Sequence, residues 1–181
     1  MQILALLDES RAFFHATVSA VPETEATRRL TPEAWSIAGI VEHIVVAERA
    51  LLSRFDNAGK SEESLRNPER ESQMMASLRN RSTRISAPER AWPAGRFDTL
   101  AEALEQFLAA REKTIQFARE HDAELYHLRV AHPFFGTVNG VEMLIVIASH
   151  SSRHADQILE IRSGYDTMNR NDTVPAENRS R

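Results

Sequence analysis

Residues 141–161 read VEMLIVIASHSSRHADQILEI, and the spacing of the apolar positions in this stretch decides the fold. At about 100° per residue, Met143, Val146, Ile147, His150, His154, Gln157, Ile158 and Ile161 fall on one side of a helix. The stripe is apolar at both ends and carries two imidazoles and an amide in its middle. Imidazoles at i and i+4 stand one above the other, a helical turn apart, so both rings can converge on one cation. Packing alone would not ask for three polar groups there, whereas a metal site would.

The surrounding chain limits what such a helix can belong to. A length of 181 residues suits one domain with a sizeable core, and 42% apolar with 27% charged residues is ordinary for a globular protein. The formal charge of -4 gives no general attraction to nucleic acid or to an anionic membrane. With no cysteine in the chain, a metal must be held by histidine, carboxylate or water. No apolar run approaches bilayer-spanning length. Residues 1–4 lead straight into an amphipathic pattern, without the basic start and cleavage site of a signal peptide. Cytoplasm is the expected compartment.

Working outward, Ile3, Leu6, Leu7, Ser10, Phe14, Val18 and Val21 keep helical spacing and predict a first helix over residues 2–20, ended before Pro22. Ser36 is a plausible N-cap for a second helix running to about Asn57, near the stop at Gly59. On it Gly39, Ile40, His43, Ala47, Ala50, Leu51 and Arg54 share a face, so His43 is a third core-facing imidazole. The small residues beside it leave room next to the ring or admit a close partner helix. Thr99 and Glu102 form a capping-box pair at the head of a third long helix that fades near residues 120–122, and its apolar face carries Arg111. Asn139 and Glu142 form a second such pair ahead of the fourth helix, which is expected to end about Ser163 with Gly164 as its stop.

Between the second and third helices, residues 58–97 are rich in Ser, Arg, Glu and Asn. A short helix over residues 68–81 is expected there, its Met74, Met75 and Leu78 either covering an opening in the bundle or belonging to a solvated connection. AWPAGRF, residues 91–97, reads as an ordered turn, and residues 127–136 as irregular chain with His132-Pro133 and Gly136 as turn markers. The pattern predicts an all-α four-helix bundle over residues 1–163, with a long connection between helices two and three. A polar tail is expected over residues 164–181.

Bundles build cofactor sites from side chains on facing helices. His43 on helix two and the pair His150/His154 on helix four fit that plan, and three nitrogen ligands leave a coordination position open. A histidine on an apolar face is more often hydrogen-bonded within a core than ligated, and an HxxxH spacing by itself is a weak signal. His15, His121 and His127 read as surface or turn residues, and His132 fits either class. Gln157 can orient a ligand or bond a neighbouring helix. Arg153 can meet an anionic substrate or thiol, or bridge to another helix, and Arg111 has the same two readings. Residues 151–153 are Ser-Ser-Arg, so the carboxylate base of an HExxH site is missing, and Glu42 and Glu48 point off the His43 face.

Trp35-Ser36-x-x-Gly39-Ile40-Val41-x-His43-Ile44 resembles the early motif of the DinB-like (DinB/YfiT) superfamily. His132-Pro133-x-x-Gly136 with His150-x-x-Arg153-His154-x-x-Gln157-Ile158 is similar to its late motif, and Pro93-Ala94-Gly95 with Phe107-x-x-x-Arg111 to its middle segment. The resemblance covers about residues 1–163. It implies a four-helix bundle holding a divalent metal, commonly zinc or nickel, through His43, His150 and His154; the placement of Arg153 and Gln157 beside the pair makes them the catalytic candidates. The resemblance implies further a hydrolase or a thiol S-transferase using a low-molecular-weight thiol and a small-molecule substrate, often as a homodimer. One departure is Gly39, where such helices often carry an acidic residue three places after the Ser cap. The alternative is a non-catalytic bundle in which the ion serves stability or sensing.

Overall fold

The computed structural model describes residues 2–80, 82 and 87–173, with side chains as far as residue 165. Four long helices form the bundle: α1 (Gln2–Ser19), α3 (Ile37–Leu52), α5 (Leu100–Glu120) and α6 (Gly140–Thr173). Shorter pieces join them, namely α2 (Glu23–Ala26), β1 (Gly59–Lys60), α4 (Pro68–Arg79), β2 (Leu128–His132) and β3 (Gly136–Val138). α1 and α3 each pack on both α5 and α6, so α1 and α3 stand at opposite corners. No described helix is long and apolar enough to cross a membrane.

The caps act where their chemistry predicts. Ser36 Oγ accepts from Gly39 N at 3.1 Å, and Thr99 Oγ1 from Glu102 N at 3.0 Å. At the head of α6 the exchange is fully reciprocal, with Glu142 N on Asn139 Oδ1 at 2.8 Å and Asn139 N on Glu142 Oε2 at 2.9 Å. Each such pair satisfies backbone donors that a helix start otherwise leaves unpaired.

The core falls into two apolar clusters with a polar belt between them. One takes Ile3 and Leu7 of α1, Ile115 and Ala118 of α5 and the 141–148 stretch of α6. The other takes Phe14 and Val18, the first half of α3, Leu100 to Phe107, and Ala155, Ile158 and Ile161. Ser10, Glu48, Arg111, Thr114 and Ser151 lie between and are buried. His150 and His154 fall in the same interval of α6.

Two expectations are corrected. Residues 127–136 are not irregular: β2 and β3 form an antiparallel hairpin in register Val130↔Val138 and His132↔Gly136, and β1 pairs on the other edge of β2. The alternating burial of LRVAH, inside at Leu128, Val130 and His132, is what makes it a strand. Nor does Gly164 end α6, which continues to Thr173. Gly164 is there because Leu30 packs against it, and a Cβ would stand 3.0 Å from Leu30 Cδ2. The next residue, Tyr165, is buried at 1% exposure, bonds the carbonyl of Arg28 and lies under the Arg28 guanidinium. The core therefore extends past residue 163, and of the expected tail residues 174–181 lie outside the described chain.

The short helix of the connection is α4, and it packs on α6. Met74 is buried, and Met75 and Leu78 lie against the first cluster. The connection thus covers apolar surface of the bundle.

Candidate metal centre

His43, buried on α3 at 4% exposure, meets the partly buried His150 and His154 across the α3–α6 interface. One ligand nitrogen from each ring lies within 4.8 Å of the other two, and among the described residues no other His, Cys, Asp or Glu joins the group. His150 Nε2 stands 3.3 Å from His43 Nε2 and 3.1 Å from His154 Nε2. The rings meet edge to face, with centroids 4.7 to 5.1 Å apart. Tetrahedral coordination at zinc–nitrogen distances of 2.0–2.1 Å separates the ligand atoms by ~3.3 Å, which matches this spacing.

The opposite ring nitrogens decide what the three Nε2 atoms present. His43 Nδ1 lies 2.8 Å from the carbonyl oxygen of Ala91, which can only accept, so Nδ1 carries the proton. His154 Nδ1 lies 2.7 Å from Gln157 Oε1 in the same relation. In its neutral form each of these rings turns its Nε2 lone pair inward, towards His150. His150 can answer them only with a single Nε2–H shared between two acceptors, whereas a divalent cation in place of that proton takes all three lone pairs at once, so the donor set fits a metal. Outer partners of this kind fix ligand tautomer and orientation in metal sites. Burial lowers the pKa of His43, with the Ala91 bond acting in the opposite direction. Burial also presses His150 well below its ordinary value, helped by His154, His43, Arg153 and His132.

The turn at residues 91–96 is clamped onto α3 beside the first ligand. Glu42 accepts from Ala94 N at 2.7 Å and Gly95 N at 3.0 Å, and it pairs with Arg96. Burial of Glu42 opposes its ionisation, but these donors outweigh it and the pKa is lowered. Gly95 takes φ +70°, which a glycine adopts without strain. Pro93 Cγ stands 3.1 Å from where a Cβ on Gly39 would be. The departure from the family pattern at position 39 thus lets the proline dock on the helix. Trp35 lies against the His43 ring at 5.0 Å between centroids.

Of the other site candidates, Gln157 sits on His154 as a ligand-orienting residue would. Arg153 donates to the main-chain carbonyls of Leu78, at 3.4 Å, and Asn80, tying α6 to the end of α4. Arg111 is wholly buried and belongs to an internal network with Glu48, at 2.7 and 3.0 Å. Glu48 and Glu42 are both engaged away from the triad. The residues the sequence reading missed are Ala91, which acts through its carbonyl, and Glu42, whose task depends on a loop path that no helical spacing encodes.

The fold has relatives. YfiT from Bacillus subtilis, described as a probable metal-dependent hydrolase with an unusual four-helix bundle topology, superposes with a TM-score of 0.56 at 13% identity. The match covers 93% of this chain and 86% of that one. TT2238, described as a four-helix bundle protein, matches with a TM-score of 0.51 at 18% identity over 88% of this chain and 97% of its own. At such identities the likeness speaks for the fold. No curated protein matches the chain. The family model of the DinB superfamily matches residues 6–158, and with the three histidines inside that span the chain belongs to the DinB superfamily.

Proposed function

We propose that this chain is a divalent-metal-dependent enzyme that transfers an electrophilic group of a small-molecule substrate to water or to a low-molecular-weight thiol. The observation that carries the reading is the convergence of three Nε2 atoms, two with tautomers fixed from behind and none closed off by a protein carboxylate. A divalent ion, zinc or nickel by the chemistry of an all-imidazole donor set, supplies Lewis acidity at its open position. His43 and His154 serve as neutral donors held in orientation by the Ala91 carbonyl and Gln157. Arg153 fixes the α4 end beside α6 and adds positive charge near His150. Glu42 keeps the 91–96 turn over the first ligand. YfiT's description as a probable hydrolase supports the hydrolytic branch.

The test starts from protein purified without chelator or nickel column. Metal content near one ion per chain is expected, lost in His150→Ala. An ester and amide panel, and an electrophile offered with each of several cellular thiols, then separates the two branches. Activity surviving complete metal removal sinks the mechanism. Full occupancy without turnover or an exchangeable coordination position favours a binding protein. We propose further that the chain works in the cytoplasm as a homodimer, on the strength of family membership. Light scattering that reports a monomer across the micromolar range counts against the dimer.

A further inference from the structure

His132 lies at the end of β2 with 7% of its surface exposed, and the reading above gives it no part. Two contacts fix its chemical state. The backbone N–H groups of Phe134 and Phe135 both donate to its Nδ1, each at 3.2 Å. A nitrogen that accepts two donors holds no proton, so the neutral ring carries its proton on Nε2. Burial, and then the nearby Arg54 guanidinium, lower its pKa to about 4, so the ring is neutral near pH 7. Nε2 makes no hydrogen bond to any described residue. The enclosed side-chain atoms left without a partner, among the described residues, are Glu71 Oε1 and Glu142 Oε1. The Nε2–H group therefore opens to solvent as an unused donor in a largely buried ring.

Arg54 stands beside it. Its Nη1 donates at 2.9 Å to the carbonyl of Ala131, directly before His132, which leaves the rest of its donor fork unspent. Arg54 lies beyond the end of α3, in the 3-10 turn Ser53–Asn57 that follows it. A proton on His132 would lower the pKa of His150, so the two rings share one electrostatic neighbourhood. A neutral donor and a guanidinium thus stand together where the turn after α3 meets the end of β2.

We propose that His132 Nε2–H and the Arg54 guanidinium form a binding subsite for a carboxylate of the substrate whose reacting end lies at the three histidines. The proposal rests on the metal-enzyme reading for what happens at that reacting end, and on His132 and Arg54 alone for the carboxylate. A carboxylate accepts a hydrogen bond from the imidazole N–H and is attracted by the guanidinium, a combination that water does not need.

Acetate is the probe, titrated into the full chain labelled with 15N, once metal-free and once zinc-loaded. The His132 Nε2–H resonance and the Phe134 and Phe135 amides are expected to shift saturably in both forms. Arg54→Gln should weaken acetate about tenfold, the order of one charge-assisted contact. His132→Asn keeps an oxygen acceptor for the two amides but has no donor in place of Nε2. It should retain the fold and the zinc stoichiometry while losing the acetate response at residues 134 and 135. Wild-type affinity in both variants, or no saturable shift in either form, overturns the subsite. Shifts confined to His150 and His154 in the zinc-loaded chain also overturn it, because acetate is then an ion ligand only. A chain that takes up no zinc yet binds acetate at His132 refutes the metal-enzyme reading and supports the subsite.

Discussion

The polar belt of this bundle has two halves built on opposite principles. In the inner half Arg111 gives Nε and Nη2 to Glu48 at 2.7 and 3.0 Å, Nη2 also to Ser151 at 3.0 Å, and Nη1 to the Leu7 carbonyl at 3.0 Å and to Ser10. Thr114 closes the remaining valence of Glu48 at 2.9 Å. Donors meet acceptors throughout, and nothing more can bind. In the half that faces α3 and α6, His43 and His154 turn the same kind of group, an Nε2 acceptor, towards His150. Both halves interrupt the same apolar core at a cost of desolvation. The inner half recovers that cost within itself, while the outer half has one His150 Nε2–H for two acceptors and recovers more from an added ion. Mutual satisfaction marks a structural network, and convergence of the same polarity marks a site.

The contrast is sharpest in stability. Arg111→Ala leaves Glu48 charged, buried and without its partner, and should destabilise the chain by about 3–5 kcal/mol in urea unfolding. A loss under ~1 kcal/mol would mean that the inner half is not a closed network. His150→Ala or His154→Ala should do the reverse, sparing helix content while lowering zinc affinity by more than the ~100-fold upper end seen for outer-partner losses. Gln157→Leu, which removes only an outer partner, should cost ~10–100-fold in a competitive chelator titration. Equal affinity in all three would end the ligand assignment.

A third prediction concerns acid. The unfolded His132 titrates at its ordinary value of 6.5 and the folded ring at about 4. Between those values the unfolded chain binds more protons, so stability falls as pH drops from 6.5 towards 4 and levels off below. The contribution is on the order of 3 kcal/mol at full loss. Metal-free wild type should therefore lose stability more steeply over that range than His132→Asn, and parallel curves would refute the assignment. The smallest effect belongs to Gly164→Ala. Helix propensity favours alanine by ~1 kcal/mol, the flexible end of Leu30 must give way, and the net change should stay within about 1 kcal/mol. A larger loss would mean that Leu30 cannot give way to the added methyl.

What could be read from the sequence follows from range. The four long helices, Ser36, the Thr99–Glu102 and Asn139–Glu142 caps and the His150/His154 pair are local, encoded within a few residues at helical spacing. His43 was legible because its face was. The β2–β3 hairpin was not, because five alternating residues around a His-Pro pair look like loop until the helix they cover is known. The end of α6 was misread because Gly164 answers to Leu30, which is remote in sequence and adjacent in space. The choice among readings of Arg111 and Arg153 likewise needed the partner helices in place.

The Ala91 carbonyl behind His43 carries a consequence for the long connection. The loop that supplies it is held by Glu42 and by Pro93 on Gly39, and so the connection between α3 and α5 is energetically joined to the ion. Whatever affinity the ion gains by finding His43 already oriented must return, by thermodynamic reciprocity, as extra order in residues 91–96. Amide exchange along that turn should slow on zinc loading by the same factor by which unclamping it, through Glu42→Gln, weakens zinc. The connection can then report occupancy to anything that touches its outer surface.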